Sequence, residues 1–394
     1  MTEQIAVSDE AIEAAPQPLI LRTAIVHDWF QGFHGSERVV DAMRTGLFAA
    51  GNEPDVYTFH AARELLPEGL AAAIVRESRV ARLPGIRQQG HDPGRWRYLL
   101  PLMPRYFRRL PLDDYDLVIA SSHACAVQAR PREDVVYVCY CYTPIRYAWL
   151  AGDDRDRVGG IKGAALRAAA SRLRRSDLEA SRRPDLYMAI SSAVRERVQR
   201  FYGRDAAVVH PPVDVEDFTP TQGDPDHFLW VHRLVRYKRP DLVAEAFRDL
   251  PYRLTMVGVG PMEAELRKNL PPNVELRSWV SREELIQLYQ QAGGFVHVGE
   301  EDFGITMVEA LAAGTPVIAL NAGGARDIVR DRVDGALIGA TDVSALRDAV
   351  RSVRNTAWSA EDLNRRAGSF SRARFIQKLS SHIRDQMDSR RNAN

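Results

Sequence analysis

The sequence predicts an α/β architecture of two doubly wound parallel-sheet domains with room for a cleft between them. Three observations carry this expectation. Short apolar runs that stop at loops alternate with segments whose apolar residues recur at helical spacing, the grammar of strand and helix units around a parallel sheet. The pattern forms two series on either side of Pro211-Pro212, where consecutive prolines force extended backbone and interrupt any helix or interior strand. The length of 394 residues also exceeds what one hydrophobic core usually organises.

In chain order, residues 1–18 carry Glu3, Asp9, Glu10 and Glu13 with no Lys or Arg, then Pro16 and Pro18, and read as a disordered acidic tail. The first domain is assigned to residues 19–212. Its first strand, TAIVH from Thr23 to His27, is an apolar run ending at Asp28, and after Gly32 and Gly35 a helix places Val39, Val40, Met43 and Leu47 on one face. Further strands are expected at 55–59, 116–121, 135–140 and 186–191. The second domain, residues 213–372, repeats the pattern with strands at 228–232, 253–258, 274–279, 294–298 and 316–320. A helix is expected from about Ala360 to Met387, with residues 373–394 crossing back to the first domain.

Composition excludes several function classes. A net charge of +1 argues against a nucleic-acid partner, although Arg105–Arg109 and Arg172–Arg183 concentrate positive charge in the first half. No apolar run approaches the roughly 18 to 20 residues that cross a bilayer, and the start lacks a basic segment followed by an apolar one, so a cytoplasmic protein is expected. Cys125, Cys139 and Cys141 match no metal-ligand spacing and are too few for a disulfide framework, which leaves them as small buried residues.

The stretch GEEDFGITMVEALAAGTPVIALNAGGARDIV, beginning at Gly299, carries the chemistry. Gly304 precedes an expected helix from 305 to 313, whose first-turn N–H groups lack intrahelical acceptors and suit an anion. Glu301 and Glu309 bracket that turn as carboxylates suited to sugar hydroxyls. Gly323 and Gly324 form a second small-residue turn at the same sheet edge, where doubly wound folds bind ligands. Upstream, WVHRLVRYKRPDLVAEAF delivers Arg233 and Lys238 just before a helix, a planar fork and a mobile point charge for phosphate oxygens.

These residues resemble the large family of retaining glycosyltransferases of the GT-B fold, family-four type, whose two facing Rossmann-like domains enclose the site and whose mark is two glutamates separated by seven residues. The likeness covers nearly the whole chain after residue 20 and is nearest to bacterial GDP-mannose-dependent mannosyltransferases of polysaccharide and O-antigen assembly. It implies that Glu301 lies by the transferred sugar and Glu309 on the nucleotide ribose, with Phe303, Gly304, Ile305, Gly323 and Gly324 lining the donor site. Arg233 and Lys238 would stabilise the departing diphosphate. Asp327 stands where relatives often have glutamate, and His232 where they commonly have Gly or Ser.

In the first domain the resemblance assigns Gly35, at a helix start, to the donor diphosphate. His123, in ASSHACA, would be a polar contact in the active centre, and Arg146 and Tyr147, in CYCYTPIRYAW, would stand on the acceptor side. It implies same-face transfer without a metal or other cofactor, the nucleotide sugar being a substrate. The acceptor is expected to be a polyprenyl-diphosphate-linked oligosaccharide. The basic segment 167–183, with Leu166, Leu173 and Leu178 beneath it, is a candidate peripheral contact with an anionic membrane. Alternative readings are a UDP-sugar-dependent glycosyltransferase, a sugar-nucleotide epimerase and a non-catalytic nucleotide-sugar-binding protein.

Overall fold

A computed structural model describes residues 17–86, 88, 95–149 and 160–393. The acidic tail thus lies outside the described residues except for positions 17 and 18. The first sheet contains β1 (Thr23–His27), β2 (Asp55–Thr58), β3 (Ile74–Arg76), β4 (Leu117–Ser122), β5 (Val136–Cys141), β6 (Leu186–Ala189) and β7 (Ala207–Val208), ordered 3-2-1-4-5-6-7. The second contains β8 (Asp224–Val231), β9 (Arg253–Val257), β10 (Val274–Arg277), β11 (Ala292–His297), β12 (Val317–Leu320) and β13 (Gly335–Ile338), ordered 10-9-8-11-12-13. Every strand pairing in both sheets is parallel.

Parallel strands covered on both faces are mainly apolar runs. Accordingly all residues of β1, β4 and β5 are buried. In each sheet the winding reverses once, between β1 and β4 and between β8 and β11. A crevice opens at such a reversal beyond the carboxyl ends of the strands, so His27 and Ser122 in one domain and Val231 and His297 in the other mark the two faces of interest.

The expected final helix is broken in two, Ala360–Gly368 and Arg372–Ala393. The break carries the buried Phe370, and there Val213 N–H donates to the Phe370 carbonyl at 3.0 Å. The last helix lies on the first domain. Phe375 meets Tyr140 edge-on with centroids 5.7 Å apart, and Arg390 donates to the Val135 and Glu133 carbonyls at 2.6 and 2.7 Å.

The Arg-rich helix, Gly160–Ala180, departs from the expected membrane geometry. Leu173 and Leu178 pack against the hydrophobic core, and Arg174 donates to the Ala148 carbonyl at 2.8 Å. The side chain of Leu166 lies outside the described residues. Among the described residues no helix is long and apolar enough to cross a membrane. The three cysteines are free and buried.

Candidate functional site

A cleft of about 300 Å³ lies where the two domains meet. Gly35, Ser36, Val39, Tyr142 and Ile190 line it from the first domain; His232, Lys238, His297 and Glu301–Thr306 line it from the second. Two helix starts converge there. Helix Gly35–Gly46 presents Gly35 and Ser36, and helix Ile305–Ala312 presents Ile305 and Thr306. First-turn N–H groups have no intrahelical acceptor and carry the positive end of the helix dipole, so the pair forms an anion-binding geometry. A Cβ built on Gly35 would stand 3.5 Å from Ile305 Cδ1, which measures how closely the two starts approach.

Gly304 caps the second helix at φ 104°, a left-handed conformation that glycine adopts without steric cost. The turn is held from below. Gly324 N–H donates to the Glu301 carbonyl at 2.9 Å, and side chains at Gly323 or Gly324 would stand 2.1 Å from the Glu301 carbonyl oxygen or 2.3 Å from that of Phe303. Gly323 and Gly324, which the resemblance assigns to the donor-site lining, make room for the backbone of residues 301–303 and lie outside the cleft lining. Phe303 is buried between the domains, its ring stacked on His210 at 5.5 Å and angled against Phe370 at 5.7 Å.

Lys238 and Glu301 form an ion pair on the cleft wall. Lys238 is buried, and burial, together with nearby Arg146 and Arg233, pushes its ammonium down to about 8, against the pull of Asp302. Arg233 is exposed and makes no ion pair among the described residues, nor does it line the cleft. Glu309 is also off the cleft wall. Its carboxylate accepts from Arg282 at 2.7 Å and from the Tyr289 hydroxyl at 3.2 Å, so both oxygens are occupied by the protein.

Arg146 crosses the domain gap and donates to Asp302 at 2.5 Å. Arg197 pairs with the same carboxylate and, at 3.2 Å, with Glu300. The Tyr147 side chain lies outside the described residues. His123 is not part of the cleft lining; its ring stands edge-on to Trp29 at 4.4 Å, with Nδ1 3.6 Å from Asp28.

A family model for group 1 glycosyl transferases matches residues 215–370, and one for glycosyltransferase family 4 matches residues 33–217. The chain belongs to the GT-B glycosyltransferases of the family-four type. O-antigen chain mannosyltransferase C of Escherichia coli is 32% identical over 182 residues, covering 44% of this chain and 48% of that protein. D-inositol 3-phosphate glycosyltransferase of Mycolicibacterium smegmatis is 30% identical over 210 residues, with 46% and 48% coverage. The same enzyme type from Catenulispora acidiphila is 29% identical over 308 residues, with 65% and 69% coverage. The chain thus spans about half the length of the first two relatives. Among solved structures, Anabaena HepE in complex with UDP gives a TM-score of 0.66 at 16% identity, covering 92% of this chain and 100% of HepE. Sucrose-phosphate synthase of Thermosynechococcus elongatus gives 0.69 at 15%, with 93% and 100% coverage. At these identities the likeness is one of fold.

Several residues that shape the site carry little signal in the sequence. Asp28, fully buried, accepts four backbone N–H groups from His123 to Ala126 at 2.5–2.9 Å and so shapes the turn after β4. The abrupt polar residue ending the first apolar run was its signal. Asp302 gave none, because its partners lie 105 and 156 residues away. Asp327, named above for its place in the motif, has a role the motif does not show: it accepts from the Ser192 N–H at 2.6 Å, capping a helix of the opposite domain. His297 joins the cleft from the end of β11, whose apolar run marks it only as interior, and Tyr142 joins it from the residue after β5.

Proposed function

We propose that this glycosyltransferase moves a hexose, α-mannose from GDP-mannose, onto a lipid-linked oligosaccharide in bacterial polysaccharide assembly. The observation that carries the reading is the convergence of two helix starts and the Lys238–Glu301 pair on one interdomain cleft. A diphosphate bound there would receive N–H groups from both domains and the charge of Lys238. Glu301, on the same wall, would orient the sugar. Mannose as the transferred sugar draws support from the name of the Escherichia coli relative, an O-antigen chain mannosyltransferase, and the GDP-linked donor and lipid-linked acceptor from the motif resemblance.

The chemistry proposed is same-face displacement. The bond between the anomeric carbon and the diphosphate oxygen breaks, the acceptor oxygen bonds to that carbon, and the acceptor proton passes to a phosphate oxygen. Lys238 and the helix starts stabilise the departing charge, so the reading requires no metal. Arg233 can join them by swinging from solvent, and Glu309 can meet the ribose by exchanging its bond to Tyr289. Arg146 would stand at the acceptor's entrance, where Asp302 now holds it. The D-inositol 3-phosphate glycosyltransferases supply a second acceptor reading, a phosphorylated polyol.

Contact with an anionic membrane fits the sequence region 75–109 better than the Arg-rich helix. Five of the exposed large apolar residues, Val75, Val80, Leu83, Tyr98 and Leu102, fall between positions 75 and 102, amid exposed Arg76, Arg79, Arg82, Arg95, Arg105 and Arg109. Apolar side chains interspersed with cations suit a lipid surface.

The test is acceptor-dependent release of nucleoside diphosphate. Release of GDP from GDP-mannose only with a lipid-linked acceptor supports the reading. Donor isomerisation without acceptor would indicate an epimerase, and binding without turnover of any donor and acceptor pair would indicate a sensor.

A further inference from the structure

His232 and His297 stand at the winding reversal of the second sheet, one just past β8 and one at the end of β11. The two strands are paired in parallel, which brings the rings to a centroid distance of 4.5 Å at 73°. Both line the interdomain cleft beside Lys238 and Glu301. Nε2 of His232 and the ring nitrogens of His297 meet no partner of regular hydrogen-bond geometry among the described residues, the Gly299 backbone making only a looser contact with His297. Buried polar nitrogens are ordinarily satisfied, and unsatisfied ones facing a ligand cleft point to a missing partner.

The rings cannot readily turn away to find one. His232 is held edge-on by Trp230 at 4.9 Å and lies 6.0 Å from Phe295, while His297 is buried at the floor of the cleft lining. Both imidazoles are kept neutral. Burial lowers His232 far below its usual range, with His297 and Lys238 adding to the effect; burial and then Lys238 push His297 down to about 3, against a backbone contact from Gly299.

We propose that His232 and His297 form a plate that reads hydroxyl groups of the donor's transferred sugar. A neutral imidazole offers one donor and one acceptor, which matches a hydroxyl. A diphosphate asks for donors and cations, and those are already supplied in the same cleft by Lys238 and the two helix starts. The pair therefore determines which sugar is held and does not determine whether a nucleoside diphosphate binds. The inference rests on the nucleotide-sugar reading given above.

The experiment is calorimetric titration of the full chain with GDP, UDP, GDP-mannose and UDP-glucose. The variants are His232→Ser, His297→Phe, His232→Gln and His297→Asn. In His232→Ser and His297→Phe, affinity for the nucleotide sugar that the wild type binds should fall about tenfold, the scale of one hydrogen bond. Affinity for the matching nucleoside diphosphate should stay within about twofold, and His232→Gln and His297→Asn, which keep hydrogen-bonding tips, should recover most of the loss. Equal losses for diphosphate and sugar nucleotide would overturn the proposal by placing the rings on phosphate or in the fold. Unchanged affinities would overturn it by making them packing residues. A wild type that binds no nucleotide sugar but does bind a nucleoside diphosphate would overturn it as well, and one that binds neither would overturn the donor-site reading too.

Discussion

Single atoms decide much of the cleft wall. Gly324 abuts the Phe303 carbonyl so closely that an added Cβ would stand 2.3 Å from its oxygen, and the offending neighbour is backbone. Gly324→Ala should therefore destabilise the chain by about 2–4 kcal/mol and displace the Glu301 loop, visible as a lower urea midpoint together with lost donor binding. Lys238→Ala removes the buried cation from the wall. It should lower kcat by about 10²–10³-fold, as loss of one charge-stabilising group does, while the circular dichroism spectrum stays native. Lys238, Glu301 and the Gly304 turn were legible because motif spacing is local. Glu309 was legible as a residue, but its tie to Arg282 and Tyr289 was not, since those partners belong to another helix. Asp302 was silent for the same reason.

At the scale of elements, Asp177 joins three pieces of the first domain. Its carboxylate accepts from Trp149 Nε1 and from the Tyr202 hydroxyl, both at 2.7 Å, while it sits on helix Gly160–Ala180. Burial raises this carboxyl to about 7, and the two donors only partly oppose it. The folded chain then holds a proton that the unfolded carboxyl releases near its ordinary value of about 3.9. Its contribution to stability is complete below that value, declines as pH rises to about 7, and is flat above. Asp177→Asn should lack this decline. Relative to wild type it should gain up to about 4 kcal/mol between pH 4 and 8, read from urea midpoints across that range; parallel midpoint curves would rule out the titration.

Strands with long apolar runs were readable within a few residues, β1 without any shift. The strands that escaped, β3, β7 and β13, all lie at sheet edges and have only 3, 2 and 4 residues. Edge strands bury less and need less apolar sequence, so periodicity has little to mark there. The final helix was expected unbroken although Gly368 ends its first part and the Ser371 hydroxyl accepts from the Arg374 N–H at 3.4 Å at the start of the second. The break follows from Val213 pairing with Ser371 across the chain crossover.

For the whole molecule, polar ties around the cleft join the two domains. Asp302 accepts both Arg146 and Arg197, and Asp327 accepts the Ser192 N–H. Arg146 has 52% of its side chain exposed, which limits such a tie to about 1 kcal/mol. Asp302→Ala should accordingly loosen the closed arrangement without unfolding either domain. Small-angle scattering of the ligand-free protein should then give a larger radius of gyration, and an unchanged radius would assign closure to the last helix and the Phe303 packing instead.

Lys238 and Glu301 are proposed to make the cleft a nucleotide-sugar site. Thermal unfolding of the wild type and of Lys238→Ala, each with a panel of nucleotide sugars, tests it most directly. A ligand at one hundred times its Kd stabilises the folded state by about 2.7 kcal/mol. The account predicts that GDP-mannose raises the wild-type midpoint and leaves that of Lys238→Ala nearly unmoved. A panel in which no nucleotide sugar shifts the wild type, or in which Lys238→Ala shifts equally, would contradict it.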